Sequence, residues 1–289
     1  MDTLISMLEK SAKRYDDLSY LVDGGDRERP KSFKDVLDEG RAIARYFLSL
    51  GFPRGTPLSI LSEGRSGWVI AEFGMLMAGL VSVPLSIKLP PEDILFRLNH
   101  SGARGIVVSA NTIELVRGII PGLDRRDFLV IDLDGAGPGG IERVSYVSAL
   151  KKGNAMIELE EGLDRSIALI REVDVVTISY TSGTSGNPKG IMLTHRNYVT
   201  NCRDAAERTR VPLGWRTLVI LPIDHTFAHT VNIYAPLLLG TTVHFLDMRH
   251  GRASALKSIP ANLQAGSCSR TARRRKPVGT VRSWFEART

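Results

Sequence analysis

The residues best suited to chemistry lie in one loop, which reads TSGTSGNPKG over positions 181–190. Its glycines let the backbone turn and approach a ligand closely, its hydroxyls add hydrogen-bonding groups, and its lysine adds a positive charge. Backbone N–H groups that converge in such a turn bind anions, most often phosphate. We therefore predict that these residues hold a phosphate group: Thr181, Ser182, Gly183, Thr184, Ser185, Gly186 and Lys189.

Composition alone would favour a plain solvent-exposed loop, and the segments that flank the loop are what favour phosphate binding instead. The apolar, β-branched run 173–180 predicts a buried strand before the loop, and the apolar residues 191–193 follow it. The common P-loop needs Gly-Lys-Ser/Thr at the start of a helix, whereas Lys189 here follows Pro188. The pattern therefore predicts a loop between two strands.

A second candidate for chemistry is His225, which lies at the predicted turn between the strand 217–221 and the helix that ends at Leu239. An imidazole at this kind of turn is often only structural, but near neutral pH it can also orient a ligand or donate a hydrogen bond. His229, four residues further, is a weaker candidate, and His195 at a predicted helix start is expected to pack or cap.

These candidates need a scaffold, and strands alternate with helices along the chain in a way that predicts one. Such alternation indicates βαβ units, so we predict an α/β fold, layered α/β/α, with mostly parallel sheets. A variable linker is expected after Gly153, with a boundary between two α/β subdomains at residues 150–172. The predicted helices are 3–15, 33–50, 68–80, 92–100, 113–120, 145–153, 195–209 and one ending at Leu239, and the predicted strands are 20–22, 57–61, 81–84, 105–109, 128–132, 173–180, 217–221 and 242–245.

The basic charge is concentrated at one end of the chain. Of the 38 Lys and Arg residues, ten lie in 249–289, where Glu286 is the single acid among the 31. We expect residues 251–289 to be a disordered tail, because this segment buries too little apolar area to offset its ordering entropy. The alternative is that the basic run 273–276 binds nucleic acid or an anionic membrane. We expect no nucleic-acid partner and at most peripheral membrane contact.

Composition points to an ordinary globular protein, at 43% hydrophobic and 24% charged residues over 289 positions. Cys202 and Cys268 provide neither a disulfide framework nor metal-ligand spacing. The chain shows no secretion signal and no apolar run of about 18 residues. We therefore expect a cytoplasmic location.

The loop resembles the signature Thr-Ser-Gly-Thr-Thr-Gly-x-Pro-Lys-Gly of the adenylate-forming (AMP-binding) superfamily, from which only Ser185 departs. The segments Leu61–Glu63, Val83–Leu85 and Asn99–Ala103 resemble long-chain fatty acid–CoA ligases in particular. The resemblance covers residues 1 to about 250, which correspond to about the first half of a complete family member: part of the N-terminal domain of the family fold, without its lid domain. Trp68, Phe73, Met75 and Met77 also fit the resemblance, but we predict that they belong to the core.

The resemblance implies a two-step reaction in which a fatty acid attacks ATP to form an acyl-adenylate, and CoA then takes the acyl group. It implies ATP with Mg²⁺, CoA as co-substrate, Lys189 and His225 as catalytic residues, and Thr184 at the metal. The family's Gly-x-Thr-Glu segment, ribose-binding aspartate and lid lysine have no counterpart here, so we expect an incomplete and weakly active or inactive fragment. Other adenylate-forming ligases and a non-catalytic nucleotide-binding remnant remain the alternatives.

Overall fold

In a computed structural model of the chain, the structure describes residues 2–24, 30–135, 142–181, 188–209 and 211–247. The predicted disordered tail, 251–289, therefore lies outside the described residues, as does the segment 182–187 of the predicted phosphate-binding loop.

Side-chain caps begin several of the described helices, including α1, α2, α6 and α9. Ser32 accepts a hydrogen bond from the Asp35 amide and the Asp35 carboxylate accepts one from the Ser32 amide, which is a capping box. A π-helical segment, His229–Tyr234, joins α9 to α10, and Gly240 ends α10 with a φ of 62°. The helices are α1 (Leu4–Arg14), α2 (Phe33–Ser49), α3 (Ser66–Met77), α4 (Pro91–Ser101), α5 (Ile113–Ile119), α6 (Tyr146–Ala155), α7 (Glu160–Ala168), α8 (His195–Thr209), α9 (Thr226–Ala228) and α10 (Ala235–Leu239).

The strands form two mostly parallel sheets. The larger sheet has the order β7-β6-β5-β3-β4-β8-β9, and the smaller has the order β10-β11-β1-β2. The described pairs are parallel except β8–β9 and β1–β2. The strands are β1 (Ser19–Val22), β2 (Lys31–Ser32), β3 (Pro57–Leu61), β4 (Val81–Pro84), β5 (Gly105–Val108), β6 (Leu129–Asp132), β7 (Val144–Ser145), β8 (Val175–Thr181), β9 (Lys189–Thr194), β10 (Arg216–Val219) and β11 (Thr242–Phe245).

Helices cover both faces of the larger sheet. Successive strand residues point to opposite faces, so on β5 Ile106 and Val108 join the core under α4 and α5. Val107, between them, joins the other core, which contains residues of α2 and α3. The predicted layered α/β/α architecture with mostly parallel sheets is therefore confirmed.

Most predicted elements are present with small shifts of their ends, but the linker expected after Gly153 is wrong. A 3₁₀ turn, Ile157–Leu159, and α7 occupy that region. Glu160 at the start of α7 pairs with Arg41 and Arg45 of α2, so a contact over more than 100 residues supports this helix. The subdomain boundary at 150–172 stays a prediction.

No helix among the described residues is both long and apolar enough to cross a membrane.

Candidate functional site

The predicted phosphate-binding loop joins two antiparallel strands. Thr181 at the end of β8 pairs with Lys189 at the start of β9, so the chain leaves and re-enters the sheet at one point. Ser182, Gly183, Thr184, Ser185 and Gly186 lie in the segment outside the described residues, and their phosphate-binding role stays a prediction.

The positive charge of Lys189 makes no salt bridge with the described residues. Its side chain is exposed, and no carboxylate in the described part of the chain lies within salt-bridge distance of it. Thr181, opposite it in the ladder, is also exposed. An ammonium and a hydroxyl at the same end of the hairpin suit an anionic ligand.

His225 lies at the beginning of α9, where it is exposed and serves as the N-cap. Its Nδ1 accepts a hydrogen bond from the amide of Phe227 at 3.4 Å. Burial raises the pKa of the neighbouring Asp224 carboxyl, while a hydrogen bond with Ser86 and the charges of His225 and Lys88 act in the opposite direction. Ser86 and Lys88 follow β4. Neither belongs to a motif that marks it in the sequence as a site residue.

The topology explains why these groups are neighbours. Strands β4 and β8 are adjacent and parallel, with Ser82 opposite Thr177, so their carboxyl ends lie at the same edge of the sheet. In open α/β sheets this edge is where ligands bind. The β4 extension with Ser86 and Lys88 therefore emerges at the edge where β8 leads into the predicted loop.

Residues from the two strands of the hairpin and from α9 line one cleft of about 430 Å³, although neither Lys189 nor His225 is among its described lining residues. One wall comes from β8, β9 and α8, and the other from α9 and the π-helical segment. Thr181 of the loop motif and Thr226, next to His225, both line it. The lining residues are Ser179, Thr181, Ile191, Leu193, Asn197, Tyr198, Asn201, Ala205, Thr226, Phe227, Thr230 and Val231.

The other histidines considered for chemistry have structural partners. His195 is buried, and its Nδ1 accepts a hydrogen bond from the Leu4 amide at 3.2 Å, which confirms a packing role. His229 is fully buried and bonded to Glu72, so it does not reach the cleft as a free side chain. The predicted core residues are fully buried as well: Trp68, Phe73, Met75 and Met77.

The described residues hold no group of three or more His, Cys, Asp or Glu side chains that could bind a metal ion. The predicted metal contact, Thr184, lies outside them. Magnesium in nucleotide sites is commonly held by one or two carboxylates together with the substrate phosphates. The role of Thr184 as a metal contact therefore stays a prediction.

Comparison with known proteins links this geometry to one family. The family model described as AMP-binding enzyme matches residues 8–263. A long-chain-fatty-acid–CoA ligase, FadD15 of Mycobacterium bovis, is 32% identical over 209 residues, covering 70% of this chain and 33% of the relative. The long-chain-fatty-acid–CoA ligase of Yersinia pestis is 27% identical over 264 residues, covering 82% of this chain and 45% of the relative.

The fold is also found in a solved structure. The N-terminal domain of FACL13 from Mycobacterium tuberculosis superposes with a TM-score of 0.69 at 20% identity, covering 85% of this chain and 57% of that one. The chain thus spans between a third and a half of the length of the two curated relatives. By the extent of the family match, and by a fold and a cleft that agree with it, this chain belongs to the AMP-binding enzyme family.

Proposed function

We propose that this chain forms the nucleotide- and acyl-binding part of an ATP-dependent acid–thiol ligase that activates long-chain fatty acids for transfer to CoA. The observation that carries the proposal is the shared cleft, which the hairpin of the loop motif and the helix of His225 line together. The names of the two curated relatives support the substrate class.

The cleft suits both parts of such a reaction. Ile191, Leu193, Phe227 and Val231 give its walls apolar surface on which an alkyl chain can pack. Thr181 lies in the same cleft, at the strand end that faces Lys189 in the ladder. An acyl chain on the apolar walls would thus place its carboxylate towards the groups that attract phosphate.

Each predicted site residue then has a role in the first step, the attack of the carboxylate on the ATP α-phosphate. Lys189 and the loop residues 181–186 hold the phosphates, and Thr184 contributes a ligand to Mg²⁺, which neutralises phosphate charge when bound. His225 orients the carboxylate and the α-phosphate. The protein contributes mostly position and charge, because phosphoryl chemistry of this kind needs little covalent participation.

A thermal-shift comparison tests the phosphate role of Lys189. A ligand that binds only the native state raises its stability, by about 2.7 kcal/mol at a hundred times its Kd. We expect Mg·ATP to raise the Tm of the parent chain, and Lys189→Ala to lose most of that shift without a lower Tm in the absence of ATP.

Lys151→Ala is the matched control, because it also removes one exposed lysine charge but lies on α6. It should keep the full ATP-induced shift. Equal shifts in Lys189→Ala and Lys151→Ala would refute the role of Lys189. A parent chain that shows no shift at saturating ATP would refute nucleotide binding by this chain.

A further inference from the structure

Glu72 is a fully buried carboxylate on α3 that the proposed reaction does not use. Its Oε2 accepts a hydrogen bond from Nε2 of His229 at 2.7 Å and one from the hydroxyl of Tyr234 at 2.8 Å. The rings of His229 and Tyr234 stack on each other, with centroids 4.7 Å apart. A buried carboxylate is costly unless it is paired and hydrogen-bonded, so this arrangement requires a reason.

The two partners of Glu72 are the first and the last residue of the π-helical segment His229–Tyr234. A π-helical turn is rare, occurs mostly as a single turn within a longer helix, and is frequent at functional sites. One carboxylate on α3 thus fixes both ends of the segment. The Tyr20 hydroxyl adds a bond of 2.5 Å to the Ile233 carbonyl within it.

This network lies directly behind one wall of the cleft. Thr230 and Val231, between the two anchored ends, line the cleft. Tyr198 of α8 also lines it, and its ring contacts His229 and Tyr234 with centroid distances of 5.7 and 5.1 Å. A movement of the anchored pair would therefore shift residues from both walls.

We propose that Glu72 and His229 are positioning residues that hold the π-helical wall of the cleft and thereby set its affinity for a long-chain carboxylic acid. The affinity part rests on the proposed function, whereas the wall-holding part rests on the geometry alone. The reactivity of Cys202 tests whether the wall is held, and the binding of hexadecanoate tests the affinity.

The first readout is the reactivity of Cys202, which is fully buried and whose thiol donates to the Thr230 carbonyl at 3.8 Å. Because the thiol lies between α8 and the π-helical segment, a reagent reaches it only when the two separate. The measurement is the rate of modification by a water-soluble aromatic disulfide in a Cys268→Ser background. The second readout is the equilibrium binding of hexadecanoate to the full chain.

The test variants are Glu72→Gln, which keeps the shape of the side chain, and His229→Phe, which keeps an aromatic ring but removes the bond to Glu72. The control is Asp132→Asn, which alters another fully buried carboxylate, at the end of β6, away from the cleft. We expect both test variants to raise the Cys202 rate about tenfold, as for an easier local opening. They should weaken hexadecanoate binding about fivefold or more, whereas the control should change either quantity by less than about twofold.

Equal Cys202 rates in Glu72→Gln and Asp132→Asn would overturn the proposal. Should Glu72→Gln fail to fold, Tyr234→Phe replaces it in the comparison with Asp132→Asn. This variant removes only one of the two hydrogen bonds to Glu72, so we expect a smaller increase in the Cys202 modification rate. If the parent binds no hexadecanoate but Glu72→Gln still raises the rate, the wall-holding role stands and the proposed fatty-acid function fails for this chain. If the parent binds hexadecanoate and the test variants change neither readout, the function stands and the inference fails.

Discussion

His195 is the first residue of α8, but its side chain is hydrogen-bonded to the first residue of α1. It is 2% exposed, and its Nδ1 accepts the amide of Leu4 at the N-terminus of that helix. Burial lowers the pKa of His195 from 6.5 to about 4, and the nearby charge of Asp174 only partly opposes this. The imidazole is therefore neutral in the native protein at neutral pH, as an acceptor at Nδ1 requires.

This pKa makes stability depend on pH in a defined direction. The unfolded chain takes up a proton near pH 6.5, whereas the folded one takes it up only near pH 4. The contribution of His195 is complete above pH 6.5 and is lost as the pH falls towards 4. Between pH 7.5 and pH 5 the loss amounts to about 2 kcal/mol in the free energy of unfolding.

We expect His195→Asn to remove that part of the pH dependence, because the Asn Oδ1 can accept the Leu4 amide without titrating. Urea unfolding of parent and variant at pH 7.5 and pH 5 measures it. The burial of His244 also lowers its pKa, so some slope should remain in both proteins. Identical slopes would show that His195 contributes nothing to acid sensitivity.

Some residues near the candidate site can be identified from local sequence patterns, and others cannot. Lys189 and His225 can be proposed from the sequence because each belongs to a continuous motif. Ser86 and Lys88 interact with Asp224, and Glu72 with the π-helical segment, through strand order and helix packing that no local spacing reveals. Glu72 has a signal in retrospect, since a carboxylate within an otherwise apolar helix needs a buried partner.

The contact between α2 and α3 depends on one glycine. A Cβ added at Gly74 would lie 2.5 Å from Cγ2 and 2.8 Å from Cβ of Ile43. Since Ile43 is buried and branched at that atom, the clash cannot be relieved by a side-chain rotation alone. The two helices would have to separate.

We expect Gly74→Ala to lower the free energy of unfolding by about 1–3 kcal/mol, in the range for overpacked cores. Gly118→Ala is the control, because Gly118 lies within α5 and a Cβ there meets nothing within 4 Å. It should be neutral or stabilise by about 0.4–1 kcal/mol, because alanine reduces the entropy of the unfolded chain. Denaturant unfolding measures the free energy of unfolding of both variants. A Gly74→Ala protein as stable as Gly118→Ala would contradict the close packing of α2 against α3.

Elements with strong local signals are the ones that the sequence predicts well. The Ser32 cap and the amphipathic pattern after it predict α2, and Gly240 predicts the end of α10. Helix α7 is missed because its support, the pairing of Glu160 with Arg41 and Arg45, comes from a distant helix. The π-helical segment is missed because its anchors on Glu72 are long-range side-chain bonds.

At the scale of the molecule, the sequence predicts the layered class but not the strand order. Alternating elements suffice for a mostly parallel sheet. The pairing of β1 with β11, at Leu21 and Val243, joins the two ends of the described chain and has no local pattern. The meeting of the two motifs at one cleft follows from that global arrangement, which is why the motifs alone could not establish it.

The last prediction concerns turnover. The aligned part amounts to 33% and 45% of the two curated relatives, so most of the length of those ligases has no counterpart in the match. Attack on the α-phosphate requires the phosphates, the ribose and the carboxylate to be held together at near-attack distance, and misplacement by an ångström can cost a factor of about 100. The lining that the structure describes offers hydroxyls and apolar surface, but among these described residues there is no acidic side chain that could bind ribose hydroxyls.

We therefore expect the 289-residue chain to bind Mg·ATP but to form acyl-CoA at least about a thousandfold more slowly than an intact ligase, since each lost factor of ten corresponds to about 1.4 kcal/mol of transition-state stabilisation. The assay follows pyrophosphate and acyl-CoA with hexadecanoate, CoA and Mg·ATP. The Yersinia pestis ligase is the positive control, and Lys189→Ala gives the background. Turnover within tenfold of the intact enzyme, abolished by Lys189→Ala, would mean that the residues around this one cleft suffice for the chemistry.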